Sequence, residues 1–249
     1  MIRTNPPTDR ESETLSSDTL FTFTSNPLYL LDMLINGIKP RYFYEVLPFV
    51  ENNWFYIIAA KCFCDIPLSK IKAHLNWYGN YGLGIKKSFL QGHGVSPVAY
   101  IHHKSFWILN LIQGNDRLDS NTIPIIPYLK RYFGDDFRLN EDGSPKHKLK
   151  KFYDEREWRY VPKQKVELLA DEENTLDYYL NLVKRKNKNH PFVDAKIALN
   201  PDDEEYIIIH TFFEYSEFRK KLRDNYSDDN EYESMLSKIL FSERILRDF

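Results

Sequence analysis

The chain has few of the residues that mark specialised classes of protein. Only two of its 249 residues are cysteines, Cys62 and Cys64, and they lie two positions apart. Two cysteines on one face of a strand rarely form an unstrained disulfide, and they are too few for a structural zinc site. We therefore expect reduced thiols and no bound metal, as is usual for a cytoplasmic protein.

Long apolar runs are also missing. The longest, Trp54–Ala60, has the length of a strand and falls well short of the roughly 20 residues that cross a membrane. Residues 1–18 are polar and lack the apolar centre of a signal peptide. We expect a flexible leader over residues 1–18, no membrane segment and a cytoplasmic location.

Neither sign of charge predominates, since 34 Lys and Arg residues face 36 Asp and Glu residues and the net charge is −2. The near-neutral net charge therefore argues against a protein that binds nucleic acid mainly through its overall positive charge. Two short basic runs, Lys146–Lys151 and Lys184–Lys188, could attract nucleic acid locally, but such runs are more often solvated loops. An RNA-binding module stays a third alternative, because it would need a continuous basic face.

Aromatic residues are abundant at 15% of the chain, so Tyr and Phe carry much of the expected burial. Strand and helix patterns are intermingled without a regular strand–helix–strand alternation, which favours an α+β domain over a doubly wound sheet. The chain lacks a phosphate-binding loop, a dinucleotide fingerprint and a nucleophile elbow. These absences exclude the Rossmann and P-loop classes of enzyme.

The local patterns predict one main domain over residues 19–222 and an acidic tether with an amphipathic helix over residues 223–249. Strands are predicted at Leu20–Thr24, Phe55–Cys64, Leu83–Ile85, Val98–Ile101, Glu157–Pro162 and Tyr206–Ile209. Helices are predicted at Leu28–Asn36, Pro67–Trp77, Ser105–Gln113, Ile123–Phe133, Phe213–Leu222 and Tyr232–Phe249. Residues 134–151 are predicted as a loop. The last helix is expected either to pack on its own domain or to serve as a docking edge for a partner.

The tract Phe152–Val161, FYDEREWRYV, is the first candidate for chemistry. On a strand, Glu155 and Glu157 would project to one face, because side chains alternate along a strand. Two neighbouring carboxylates tend to acquire different pKa values, which suits one charge stabiliser and one base. The simpler interpretation is an exposed strand in which Glu157 and Arg159 are surface charges, and the residues alone favour it.

Two further segments could hold a ligand. The segment 77–85, WYGNYGLGI, carries Tyr78 and Tyr81 beside glycines, and their rings could stack on a flat heteroaromatic ring or merely cap the core. The turn after the first strand, at Thr24 and Ser25, could hold a polar ligand at a helix N-terminus. Simple N-capping of the helix is the favoured interpretation of that turn.

Taken together, several blocks resemble the AbiGi-type abortive-infection family. These blocks are LFTFTSNPLYLLDMLINGIKPRY, CFCDIPLSKIKAHLNWYGNYGLGIKK, the strand around Pro97–Ile101 and FYDEREWRYVP, and with PDDEEYIII they span roughly residues 20–210. That family in turn resembles, at the level of fold, the ADP-ribosyltransferases. The resemblance implies an ADP-ribosyltransferase-like split β-sandwich with flanking helices that cleaves NAD between nicotinamide and ribose.

The resemblance also implies roles for particular residues. Glu157 would be the catalytic carboxylate that stabilises the ribosyl cation, and Glu155 the second member of the pair, which acts on the acceptor. Tyr78 and Tyr81 would stack on nicotinamide, and Arg159 would belong to the cofactor-binding set. The first strand of that fold ends in an Arg or His that contacts the ribose. Here that position holds phenylalanine and threonine, so Thr24 or Ser25 would have to substitute.

These observations lead to two hypotheses of different class. The first is an NAD-using ADP-ribosyltransferase-like toxin of a phage-defence or toxin–antitoxin system, with RNA, DNA or a host protein as acceptor. The second is a non-catalytic antitoxin or regulatory partner in an abortive-infection pair. The paired glutamates and the tyrosines favour the enzyme, and the missing Arg or His favours the partner protein. A toxin would need a cognate antitoxin or regulatory protein.

Overall fold

The structure, a computed structural model, describes residues 16–46, 55–102, 104–105, 123–139, 145–162, 167–169, 176–189, 192 and 194–248. The strands are β1 Thr19–Thr24, β2 Arg41–Val46, β3 Phe55–Cys64, β4 Tyr81–Lys86, β5 Ser96–Pro97, β6 Ala99–Ile101, β7 Leu129–Arg131, β8 Phe133–Leu139, β9 Pro145–Lys151, β10 Glu157–Tyr160, β11 Glu167–Leu169, β12 Glu204–Ile209 and β13 Ile239–Phe241. The α-helices are α1 Pro27–Asn36, α2 Lys72–Tyr78, α3 Lys87–Gly92, α4 Leu176–Asn189, α5 Phe212–Arg223, α6 Asp229–Ser237 and α7 Ser242–Asp248. The predicted α+β class is confirmed.

A largely antiparallel sheet forms the centre of the described structure, in the order β13-β12-β4-β1-β3-β10-β5. Strand β3 is shared between two groups of strands. Its C-terminal half pairs with β1 and β10, and its N-terminal half pairs with β2 and β11. The sheet therefore continues past β3 in two directions, and the region between them is where the candidate site lies.

The two faces of the sheet are covered differently. Helices α1, α3, α5 and α6 pack on one face and bury the larger core there. On the other face, α2 and α7 cover only the part of the sheet near β1 and β12. The remainder of that face, over β3 and β10, borders a cavity.

Glycines of β4 allow this second face to pack closely. Gly82 and Gly84 lie opposite Phe23 and Phe21 of β1, and a Cβ at either glycine would approach those rings to 2.8 Å. Gly79, which precedes β4, has the positive φ that a turn requires, at 122°. Strand β4 therefore begins at residue 81 rather than at the predicted residue 83, because the glycines that suggested a turn are packing positions within the strand.

Three predictions for the middle of the chain are wrong. The helix predicted at Ile123–Phe133 is a 3-10 helix, Ile123–Tyr128, followed by β7 and the start of β8. The prolines at positions 124 and 127 have no backbone N–H to donate, so a regular α-helix cannot form there. The loop predicted over residues 134–151 is an antiparallel hairpin of β8 and β9. The basic run Lys184–Lys188 lies in helix α4 and not in a loop. The predicted helix Ser105–Gln113 falls outside the described residues except for Ser105.

The C-terminal segment packs on the same core, and the single helix predicted over Tyr232–Phe249 is wrong. Helix α6 ends at Ser237, β13 pairs in parallel with β12, and α7 follows. Tyr232 and Met235 are buried in the larger core. The apolar run in β13 fits a helix or a strand equally well by its pattern, so only the pairing with β12 decides between them.

The described end of the predicted leader is anchored to the domain. Ser16 Oγ and the backbone N–H of Ser17 donate hydrogen bonds to the carboxylate of Asp65. Residues 1–15 lie outside the described residues, so the rest of the leader prediction stays a prediction. Among the described helices, none combines the length and the apolar character needed to cross a membrane.

Candidate functional site

A cavity of about 410 Å³ lies on the partly covered face of the sheet. Its walls come from β1, β2, β3, helix α2, β7 and the 3-10 helix Phe152–Glu155, which leads into β10. Its size is at the lower end of the range of small-molecule pockets. Phe23, Tyr78 and Phe152 supply ring surfaces, and Glu155 and Glu157 supply carboxylates.

Glu155 and Glu157 come together through a local structure other than the predicted strand. Glu155 ends the 3-10 helix, Arg156 follows with a φ of 46°, and Glu157 is the first residue of β10. The left-handed conformation of Arg156 is rare for a residue with a Cβ and redirects the chain by one sharp turn. As a result, both carboxylates line the cavity and both are buried.

Glu157 is held in a network of ion pairs. Lys130 Nζ donates a short hydrogen bond to one carboxylate oxygen, and Arg159 Nε donates to the other at 2.6 Å. Arg159 Nη2 lies 2.9 Å from Glu45 Oε1, and Arg159 Nη1 donates to the carbonyl oxygen of Pro127 at 2.5 Å. Arg159 is completely buried, with 0% of its surface exposed. The charge of Glu157 is thus already compensated by protein cations.

Glu155 is engaged in the same way. Lys130 Nζ donates to Glu155 Oε2 at 2.8 Å, and Lys150 Nζ donates to Oε1 at 2.5 Å. The hydroxyl of Tyr78 donates a short hydrogen bond to that same Oε1. Lys130 therefore bridges the two carboxylates of the pair. Lys150 lies on the hairpin of β8 and β9, which therefore borders the site next to Glu155.

The two carboxylates differ in their affinity for protons. Burial alone would raise the pKa of Glu157, but Arg159 and Lys130 outweigh it and hold that pKa well below its ordinary value. Burial, together with the negative charges of Glu157 and Glu45, raises the pKa of Glu155 well above its ordinary value. Glu157 is accordingly the more readily ionised member of the pair, and Glu155 takes up a proton first.

His74 is a buried polar residue of the cavity wall that the sequence did not reveal. It comes from α2, its ring lies beside the rings of Tyr78 and Phe23, and 9% of its surface is exposed. The main chain of Glu155 lies within hydrogen-bonding reach of the imidazole, and no side chain of the described residues bonds either ring nitrogen. Burial, followed by the positive charge of Lys150, lowers the pKa of His74 to about 4. The imidazole is therefore neutral at physiological pH.

Other sequence-based candidates lie away from the cavity. Tyr81 points into the core on the opposite face of the sheet, and its hydroxyl donates to the carboxylate of Glu214 at 3.0 Å. Thr24 Oγ1 accepts a hydrogen bond from the backbone N–H of Asn26, whose side chain caps α1. Neither Thr24 nor Ser25 is in the cavity wall. The structure thus brings Tyr78 and Arg159 together with Glu155 and Glu157, but it does not bring Tyr81, Thr24 or Ser25 to them.

Sequence patterns did not reveal the cations that complete the site. Lys130 was expected in a helix and Lys150 in a loop, whereas they lie on β7 and β9. Glu45, on β2, is separated from Arg159 by more than one hundred residues. No short motif links such positions, so the network could be recognised only from the pairing of the strands.

The described residues offer no obvious metal or redox chemistry. They contain no group of three or more His, Cys, Asp or Glu side chains able to hold a metal ion. Cys62 and Cys64 are free thiols on β3. Burial raises the pKa of both thiols well above its ordinary value, which makes them poor nucleophiles.

Fold and site together define an α+β protein with a ligand-sized cavity whose floor is a closed network of ion pairs. The chain belongs to the AbiGi family: the family model described as "Putative abortive phage resistance protein AbiGi, antitoxin" matches residues 56–210. The resemblance to an abortive-infection family is thereby confirmed. The matched region contains every residue of the network except Glu45.

A curated relative supports the same family. The chain is similar to the abortive phage resistance protein AbiGi of Lactococcus lactis subsp. cremoris, with 27% identity over 153 residues that cover 49% of this chain and 61% of the relative. The chain thus spans about three fifths of that relative's length. No solved structure matches the chain.

Proposed function

We propose that this chain is the non-catalytic antitoxin, or regulatory partner, of an abortive-infection pair, and that it acts by binding a cognate toxin. The observation that carries this proposal is the saturation of both candidate catalytic carboxylates by Lys130, Lys150 and Arg159. The description of the matching family as an antitoxin points in the same direction.

The chemistry of NAD cleavage explains why a saturated pair argues against an enzyme. A ribosyl cation needs a carboxylate whose negative charge is available when the glycosidic bond breaks. Here Lys130 and Arg159 already compensate the charge of Glu157. Lys130 and Lys150 do the same for Glu155. At the position where the related fold carries an Arg or His, Phe23 presents an apolar ring to the cavity. These residues do not fit NAD as a substrate.

The scaffold itself is compatible with descent from an ADP-ribosyltransferase-like split β-sandwich. Two features support this proposal: strand β3 is shared between two groups of strands, and the paired glutamates stand at the entry to β10. A protein can keep a fold while its site changes chemistry, so this relationship is independent of the activity.

Co-expression tests the antitoxin function. We expect that this chain alone leaves bacterial growth unchanged, and that it restores growth when produced together with its cognate toxin. Purified together, the two proteins should elute as one complex in size-exclusion chromatography. Growth arrest by this chain alone, or failure to rescue by a soluble and folded chain, would contradict the proposal.

An NAD-using toxin is the competing function, and one observation favours it: Tyr78, Glu155 and Glu157 do line the same cavity. Labelled NAD incubated with the purified chain and cell lysate distinguishes the two functions. An enzyme would transfer label to protein, RNA or DNA, and Glu157→Gln would abolish the transfer. Asp154→Asn is the matched control, because Asp154 is an exposed carboxylate in the same segment. The antitoxin proposal expects no transfer from any of the three proteins.

A further inference from the structure

A second, smaller hollow of about 170 Å³ adjoins strand β10. Its wall includes Tyr100, Tyr153 and Arg156, and of the residues that line the large cavity it shares Glu157 alone. Pockets for whole small molecules usually measure about 300–1,000 Å³. This hollow is therefore large enough for a group the size of one side chain, and neither candidate function above makes use of it.

The cation in the wall of this hollow has no counter-ion among the described residues. Arg156 forms no ion pair with their carboxylates, and its Nε is buried without a hydrogen-bond acceptor. The left-handed turn that directs Glu155 and Glu157 into the large cavity leaves Arg156 in the wall of the second hollow. Such strained conformations of non-glycine residues cluster at functional sites. The guanidinium therefore presents donors that an acceptor inside the hollow could satisfy.

Tyr100 supplies a second donor to the same hollow. Its hydroxyl oxygen accepts a hydrogen bond from the backbone N–H of Glu157 at 2.7 Å, whereas its own O–H has no acceptor among the described residues. Burial and the negative charge of Glu157 raise the pKa of the Tyr100 hydroxyl well above its ordinary value, so the hydroxyl keeps its proton. Two side chains of the wall thus offer donors, and both call for an acceptor.

The other charges in the wall are already compensated. Lys87 Nζ lies 2.8 Å from the carboxylate of Asp65, and Lys130 and Arg159 pair with Glu157. The guanidinium is therefore the one charge in the described wall that lacks an opposite charge. A planar carboxylate with a single negative charge balances it and matches the fork of its N–H groups. A phosphate dianion would add excess negative charge beside Asp65 and Glu157.

We propose that this hollow binds a carboxylate on a short apolar body, which is the chemistry of a small monocarboxylic acid or of an acidic side chain of a bound protein. Arg156 would pair with the carboxylate oxygens, and Tyr100 would donate to one of them. Val98 and Tyr153 would contact the carbon atoms of the ligand. The site goes beyond the antitoxin function and does not depend on it, since it needs nothing outside this chain.

Titration of the full chain with propionate in carboxylate-free buffer tests this inference, with NMR detection of arginine Nε–Hε resonances in arginine-labelled protein. We expect a saturable shift of the Arg156 resonance with a Kd on the order of 1 mM. Propionamide has the same shape without the charge and should not bind. Arg156→Gln should weaken binding about tenfold, and Tyr100→Phe about fivefold. Arg41→Gln removes an exposed guanidinium on β2, outside the hollow, and should leave the Kd unchanged.

A second probe distinguishes the two sources of the carboxylate. Glutamate blocked as its N-acetyl amide carries a carboxylate only on its side chain. If it binds at least as tightly as propionate, the source is a protein side chain; weaker binding identifies a free acid.

The Arg156 resonance is followed in the wild type, so the inference stays testable even if a variant misfolds. Three results would overturn it: no saturable shift with either carboxylate, equal binding of propionamide, or an unchanged Kd in folded Arg156→Gln. Growth rescue is measured separately, so failure of the antitoxin proposal stays distinguishable from failure of this site.

Discussion

Replacement of Arg159 by methionine removes the guanidinium from the centre of the ion-pair network while keeping most of the side-chain volume. Arg159 is completely buried and contacts Glu157, Glu45 and the carbonyl oxygen of Pro127. In the variant, both carboxylates lose their contact with the guanidinium and the carbonyl loses its donor. The network would then hold more negative than positive charge in a region without solvent.

The expected cost follows from these contacts. Removing one partner of a buried ion pair costs about 3–5 kcal/mol, because the other charge stays buried. Lys130 still reaches both Glu157 and Glu45, at a distance of 3.6 Å for Glu45, so the lower end of that range applies. A loss of about 3 kcal/mol is a large share of the stability of a typical domain. With a urea m-value of about 3 kcal/mol/M, the midpoint should fall by about 1 M.

Urea unfolding followed by circular dichroism measures this change, and a double variant isolates its cause. Arg159→Met combined with Glu157→Leu removes both charges, so it should be less destabilised than the sum of the two single changes. Lys39→Met is the control, because the pair of Lys39 with Asp32 at 3.2 Å is partly exposed and should contribute less than about 1 kcal/mol. A shift below about 1 kcal/mol for Arg159→Met, or strict additivity in the double variant, would refute the network.

Four further predictions follow. Burial raises the pKa of Glu204 to about 8, so the wild type should lose stability relative to Glu204→Gln as the pH rises from about 4.5 to about 8, as thermal unfolding at pH 5 and pH 8 can measure. Burial lowers the pKa of His74 to about 4, so the wild type should lose stability relative to His74→Leu as the pH falls from about 6.5 to about 4, which urea midpoints across that range check. Gly79→Ala should lower the melting temperature, because φ is 122° and the new Cβ would lie 2.3 Å from the backbone nitrogen of Ser25; an unchanged value would contradict the turn. Truncation after Asn230 should yield insoluble protein, since it deletes β13 and much of α6; a soluble, folded product would restore the docking hypothesis.

The sequence was sufficient for elements whose local pattern and tertiary role agree. The strand Phe55–Cys64 was predicted with its observed bounds, because a run of β-branched and aromatic residues suits a central strand. Helix α1 was predicted to within one residue, since Asn26 and Gly37 mark its two ends. In both cases, residues within or next to the element determine its type and its ends.

The sequence was insufficient where long-range pairing decides the structure. Lysines at alternate positions of β9 look like a solvated loop until Trp77 is seen to pack beneath Lys148 and Lys150. Lys150 also keeps its charge beside Glu155 and Asp136, which composition alone does not reveal. The pairing of Glu155 and Glu157 was anticipated, but its cause was assigned to strand alternation rather than to a left-handed turn.

The ion-pair network also explains why a cavity persists beneath it. Burying six charges costs several kcal/mol per ion before pairing, and well-packed apolar side chains would serve stability at least equally well. The charges add geometric specificity. Arg159 and Lys130 hold Glu45 of β2 and Glu157 of β10 in fixed positions relative to each other. Fixed, fully engaged charges cannot collapse into the neighbouring space as flexible apolar chains can. The space bordered by His74 therefore stays open.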